Sequence, residues 1–158
     1  MFRKMRRPFK EISEEVLQEL LINSRRGVLA VNGDEGYPYA VPVNYFYDRQ
    51  SGKIYFHGCM AGHKAESIKN NAKVCFTIYG NECVKDKPWA PYLQSAVIFG
   101  RCRLIESREE TLLLVKKLAM KYFPSEDIAD REIEADGYRV GMYEIIIEHM
   151  TGKQIQER

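Results

Sequence analysis

Between Tyr37 and Asp48 the chain reads YPYAVPVNYFYD, with Tyr37, Tyr39, Val41, Val43, Tyr45 and Tyr47 on one face and Pro38, Ala40, Pro42, Asn44, Phe46 and Asp48 on the other. Strict alternation over this length marks an extended strand with one face turned to a core. The two prolines constrain it further. Neither can donate to a ladder, so the strand must be irregular or at a sheet edge around Pro38 and Pro42. Backbone groups freed by such a break, with Asn44 beside them, suit a planar ligand rich in N–H and C=O groups. A β-bulge with no ligand accounts for the same residues.

The rest of the chain supplies strands to pair with this one. Ser13 caps a helix to Asn23 whose Val16, Leu17, Leu20 and Leu21 share a face. A short buried strand, Arg26 to Asn32, turns at Gly33-Asp34-Glu35-Gly36 into the Tyr37 strand, and Arg49 to Gly52 turns it into a third at Ile54 to His57. A helix from about Gly62 to Asn71 presents Ala65, Ile68 and Ala72 inward. Lys73 to Tyr79 alternates again, as does Gln94 to Glu106. Between them, Gly80 to Leu93 reads as an ordered loop, in which Trp89-Ala90-Pro91-Tyr92 packs on the barrel, covers a site or joins an interface. Ser107 caps a helix over Arg108 to Tyr122, with Leu112, Leu113, Val115, Leu118 and Ala119 inward, and a looser helical segment runs to Asp136. Gly137 breaks the chain, Arg139 to Glu148 is the last strand, and the polar tail after Thr151 frays. Six strands, mostly joined by hairpins and lacking alternating βαβ units, fit a small antiparallel barrel with helices around it.

One junction in this order has chemical character. In KIYFHGCMAGHKAESIKNN, from Lys53 to Asn71, a strand ends at His57-Gly58, small residues turn the chain, and a helix opens at Gly62-His63-Lys64. The first N–H groups of a helix lack intrahelical partners and carry partial positive charge, so an anion is favoured there. Lys64 and His63 add to that attraction, and Gly58, Ala61 and Gly62 leave room for a ligand to reach the backbone. The arrangement reads as a phosphate seat. Neither GxxxxGK[ST] nor GxGxxG occurs, so it is not one of the common nucleotide loops.

At 158 residues and 45% hydrophobic residues the chain is long and apolar enough for one domain with a core. The net charge of +2 excludes little, and the cations Arg3, Lys4, Arg6, Arg7 and Lys10 of residues 1–12 read as a solvated arm rather than a nucleic-acid site. No apolar run reaches the ~20 residues of a membrane span and no secretory signal opens the chain, which leads to the expectation of a cytoplasmic protein without membrane partners. Cys59, Cys75, Cys83 and Cys102 contain no CxxC pair and read as reduced thiols. His57, Cys59 and His63 share one turn without a fourth ligand, so no metal is expected there.

The succession of a helix, RGVLAVNGDEGYPYAVPVNYFYD, KIYFHGCMAGHKAESIKNNAKVCFTI and SAVIFGRCRLIES resembles the pyridoxamine 5′-phosphate oxidase-related FMN-binding split barrels, and among them the nitroimidazole-resistance (Nim) type. The resemblance covers Ser13 to Glu148. It implies a six-stranded antiparallel split barrel that binds FMN in a groove shared by two chains of a homodimer. By position, Pro42, Val43, Asn44 and Tyr45 would run past the isoalloxazine ring, and His57 and Gly58 would lie near the ribityl chain and phosphate. Gly62, His63 and Lys64 would hold the phosphate, and the strand beginning at Ser95 would supply interface contacts. His63 stands where the oxidases commonly have arginine, a departure that lowers the fixed positive charge unless the imidazole is protonated.

The resemblance implies FMN more directly than any reaction. No paired carboxylates, triad or placed general base is visible, and a flavin enzyme needs none, since the cofactor carries the electrons. The favoured reading is an FMN-dependent oxidoreductase acting on small aromatic or nitro-aromatic substrates. Its alternatives are a non-catalytic flavin or haem binder, with His57, His63 or His149 as an axial ligand, and a pyridoxamine 5′-phosphate oxidase proper. The last is disfavoured by His63 and by the absence of an arginine-rich stretch in MTGKQIQER.

Overall fold

The computed structural model describes residues 1–86 and 89–156. Helix α1 (Glu14–Asn23) precedes strands β1 (Arg26–Asn32), β2 (Pro38–Asp48) and β3 (Lys53–Gly58), helix α2 (His63–Asn70), and strands β4 (Lys73–Asp86) and β5 (Trp89–Leu104). Helices α3 (Arg108–Tyr122) and α4 (Glu126–Asp136) follow, and β6 (Gly141–Gln156) comes last. The strands close a barrel in the order β1-β2-β3-β6-β5-β4, every neighbouring pair antiparallel. Closure removes the unpaired edges that an open six-stranded sheet would expose.

Alternation sets the barrel's two faces. Val43 and Tyr45 of β2, Val74, Phe76 and Ile78 of β4, and Ala96, Ile98 and Cys102 of β5 all point inward and are buried. Leu17, Leu20 and Leu21 of α1 join them and plug one end, tied by the Tyr45 hydroxyl, which donates to the Leu21 carbonyl at 2.7 Å. The opposite face of β2, β3 and β6 buries Tyr55 and Met142 with the partly buried Phe46, against Leu114, Val115 and Leu118 of α3. Each such side chain, fully buried, contributes about 1.5–3 kcal/mol. The prolines sit where expected. Residues Pro38 to Asn44 pair only with β1, and the β3 ladder begins at Tyr45.

Three expectations need correction. Gly80 to Leu93 is not a loop. β4 continues to Asp86 and β5 starts at Trp89, pairing Cys83 with Tyr92 beyond a register shift after Gly80 that is accompanied by Asn81 at φ 54. Glycine, proline and charge suggested a break there, but a bulge absorbs the irregularity. The Trp89 side chain, for which packing, lid or interface roles were open, lies outside the described residues. The tail does not fray at Thr151: β6 pairs with β5 as far as Gln156. On α3 the buried residues are Thr111, Leu114, Val115, Leu118 and Ala119, while Leu112 and Leu113 are exposed. Three consecutive leucines fit two helical stripes, and only the barrel decides between them.

The basic arm is also more than a solvated tail. Phe2 stacks on His149 with centroids 4.6 Å apart and on Phe99 at 5.7 Å, Pro8–Lys10 forms a 3-10 turn, and the Glu11 backbone pairs with that of Lys153 in an isolated antiparallel β-bridge. Among the described residues no helix is long and apolar enough to cross a membrane.

One buried charge ties three strands together. Glu144 of β6 is 2% exposed and accepts from Lys53 at 2.8 Å and from Arg103 at 2.6 Å. Burial opposes its ionisation, yet the two charged donors outweigh it and hold its carboxyl below the ordinary value of 4.5. A depressed carboxylate stabilises the fold above its unfolded pKa, and that contribution is lost as pH falls through the folded value. Glu144→Gln should therefore cost about 1–2 kcal/mol at neutral pH, moderated because Arg103 can turn to solvent. Denaturant titrations between pH 7 and 3 should show the difference from the parent protein shrinking below pH 4.5, and a constant difference would refute the assignment.

Candidate functional site

The junction singled out in the sequence forms one wall of a groove. β3 ends where His57 pairs with Met142 and Gly58 with Gly141, the chain turns through Cys59 to Gly62, and α2 starts at His63. Gly62 has φ 95, a conformation suited to glycine, and offers no side chain to cap the helix. The first-turn N–H groups of α2 thus receive no side-chain cap.

Lys64 returns from that first turn across Gly58. A Cβ added at Gly58 would stand 2.7 Å from the Lys64 Nζ, so the glycine makes the space the ammonium occupies. The ammonium lies 5.5 Å from the centre of the buried Phe56 ring and forms no salt bridge among the described residues. Burial lowers its pKa, and the nearby Cys59 and Cys102 thiols offset this only in part. A half-buried cation without a carboxylate is poorly served by its own protein and would gain from an anion in the groove.

The groove has a volume of about 570 Å³. Pro42, Val43 and Asn44 of β2 line one side, and His57, Gly58, Cys59 and Lys64 line the floor and end. Loss of hydration in the groove and the Lys64 charge both push the His57 imidazole below its ordinary 6.5. Tyr143 secures the turn, its hydroxyl donating to the Cys59 carbonyl at 2.7 Å.

Six of the residues expected at the site therefore meet here: Pro42, Val43, Asn44, His57, Gly58 and Lys64. The other four lie elsewhere. The Tyr45 side chain is fully inside the barrel, as the alternation of β2 requires once Val43 faces inward. Gly62 is the N-cap of α2 and is not among the residues lining the groove. His63 points away from Lys64, stacking on Tyr39 at 4.0 Å with its Nε2 3.6 Å from an Asp34 carboxylate oxygen. Successive residues of a helix diverge by about 100°, and here Tyr39 and Asp34 hold His63 on the side away from Lys64. Ser95 lies on β5 opposite Tyr79 and Lys153, away from the groove.

The far wall, made by Asp136, Arg139 and Val140, was missed. Its local signal was the helix stop at Gly137 followed by a basic residue, but only the packing of α3 and α4 brings it opposite β3. Arg139 adds a second cation to the groove, with its guanidinium 5.0 Å from the Tyr138 ring centre.

A closed antiparallel barrel of six strands, with helices against one face and an anion-ready groove at the β3–α2 turn, is a split barrel. A family model described as pyridoxamine 5′-phosphate oxidase matches residues 13–154, and the chain belongs to that family. Comparison with curated proteins finds no match. Among solved structures, a candidate 5-nitroimidazole antibiotic resistance protein from Bacteroides thetaiotaomicron aligns with TM-score 0.75 at 20% identity, over 91% of this chain and 85% of its own. A conserved hypothetical protein from Mycobacterium tuberculosis aligns with TM-score 0.79 at 18% identity, over 96% and 89%. The FAD- and haem-binding protein of Mycobacterium smegmatis aligns with TM-score 0.71 at 16% identity, over 89% and 70%. At these identities the likeness is one of fold.

Proposed function

We propose that this protein binds a flavin, specifically FMN, and uses it as an oxidoreductase on small aromatic or nitro-aromatic compounds. The observation that carries the reading is the unpaired Lys64 ammonium, laid across Gly58 beside the uncapped start of α2 and open to the groove. Family membership supports it, as do fold relatives described as binding FAD, or FAD with haem. The residues present fit the group: Lys64 and the first N–H groups of α2 would hold the phosphate, and Arg139 would add charge. Pro42, Val43 and Asn44 would flank the ring system. A bound flavin supplies hydride or single-electron transfer, while the protein binds, orients and shields it.

His57 lines the groove and gives the haem reading its one specific support. A pyridoxamine 5′-phosphate oxidase proper is disfavoured because His63, the residue in the arginine position, turns to Tyr39 instead of the groove. We place the second chain of a homodimer against the outer barrel face, where Val28, Tyr79 and Phe99 are exposed, with β5 from Ser95 onward in the contact.

Adding FMN to the purified protein should give a flavin absorbance that remains with the protein on desalting, in a particle of dimeric mass by light scattering. Colourless protein after FMN addition would overturn the flavin reading, and a monomer that still holds FMN would overturn the shared groove. A Soret band in protein produced with haem, lost in His57→Ala, would favour the haem alternative.

A further inference from the structure

A second opening lies beside the groove. It is a pocket of about 270 Å³ between the barrel and the α3–α4 hairpin. Val115, Leu118 and Ala119 of α3, Ile133 of α4, and Val140 give it apolar walls. Two carboxylates, Glu132 and Asp136, are its charged lining, and no lysine or arginine faces into it.

The walls are held in place. Lys116 of α3 pairs with Glu126 at 3.0 Å and with Asp130, while Arg108 donates to the Val140 carbonyl at 2.8 Å and to that of Gly137. Lys116 is thus engaged by other acids of α4, and among the described residues neither Glu132 nor Asp136 forms a salt bridge. Arg139 lines the neighbouring groove and sits over Tyr138.

We infer that this pocket is a binding site for a single aromatic ring bearing a protonated amine. Size suits a small occupant: a dry cavity of ~150 Å³ holds benzene, so this pocket of about 270 Å³ takes one ring with a short substituent or two fused rings. Apolar walls favour the ring, and the two acids favour a cation over a carboxylate. The pocket shares Asn44, His57, Asp136 and Val140 with the groove, so its occupant lies directly beside whatever the groove holds. On the flavin reading that neighbour is the cofactor, and the pocket then names the substrate class as arylalkylamines, which are protonated at neutral pH. Its own shape and charge do not depend on a flavin being bound.

The test titrates the full chain, without added flavin, with benzylamine, benzyl alcohol and benzoate at neutral pH, followed by NMR shifts. Benzylamine should bind roughly three- to tenfold more tightly than benzyl alcohol, and benzoate more weakly than either. In Glu132→Gln/Asp136→Asn, two exposed positions whose replacement leaves the fold intact, the amine preference should fall to within about twofold. Ala119→Phe fills the pocket and should abolish binding of all three. Equal affinities in the parent protein, an amine preference unchanged in the double variant, or a folded Ala119→Phe that still binds benzylamine would each overturn the assignment. If Ala119→Phe does not fold, the double variant decides alone. FMN binding is read separately by visible absorbance, so either result can fail while the other holds.

Discussion

In a titration with FMN, Lys64→Ala should weaken binding by roughly 10- to 100-fold, which corresponds to the ~1.5–3 kcal/mol of a charge-assisted contact. Riboflavin, which lacks the phosphate, should bind parent and variant alike. The contrast follows from where the ammonium sits: half-buried, facing the groove, and without a carboxylate partner among the described residues. Burial already presses its pKa below 10.5, and a phosphate beside it would raise the value again, so FMN binding should take up protons at alkaline pH and weaken as pH rises. The flavin-free variant should be no less stable than the parent, because the substitution removes a poorly solvated charge and breaks no ion pair. Equal FMN affinity in parent and variant would sink the phosphate assignment. A comparable loss for riboflavin would instead place Lys64 against the ring system.

Gly27→Ala should cost about 1–3 kcal/mol of unfolding free energy, among the largest single-methyl effects available in this barrel. A Cβ at Gly27 would come within 2.1 Å of the Phe76 ring tip and within 2.8 Å of both flanking ring carbons. Phe76 has no freedom to yield. It is fully buried and meets Tyr45 edge-on, with centroids 5.0 Å apart and planes at 73°. Tyr45 is fixed in turn by its bond to the Leu21 carbonyl, so a displaced ring disturbs the plug formed by α1. Phe76→Leu removes the crowded ring atoms, and combined with Gly27→Ala it should destabilise by less than the two changes summed. Denaturant melts of the four proteins give the coupling energy. Additive costs would show that the crowding is relieved elsewhere.

Much of this architecture was readable before any coordinates. The alternation of Tyr37 to Asp48, the capping serines at Ser13 and Ser107, and the strand–turn–helix at His57 to Lys64 are local signals, set by backbone periodicity and unpaired amides, and the barrel uses them with one change: β2 starts at Pro38 and leaves Tyr37 exposed. What was not readable depends on partners distant in the chain. Residues 152–156 are polar and look like a frayed end, but they meet β5 across the ladder, and pairing does not require apolar side chains. The stripe buried on α3 was ambiguous among three adjacent leucines. His63 and Lys64 look like a matched pair in sequence and diverge in space, because Tyr39 offers the imidazole a stacking partner on the other side. The far wall of the groove, around Asp136 and Arg139, exists only once the α3–α4 hairpin has folded back over β3.

β6 lies between β3 and β5 and closes the barrel, the other five strands forming one continuous sheet in the order β3-β2-β1-β4-β5. It is also the sixth strand to leave the ribosome. Until it emerges, the nascent chain carries two open ladders, along β3 and along β5, on either side of a gap one strand wide. A chaperone holding those edges apart, or a neighbouring polysome adding its own strand to them, would act during this interval, and translation speed over the stretch encoding β6 would set how long it lasts.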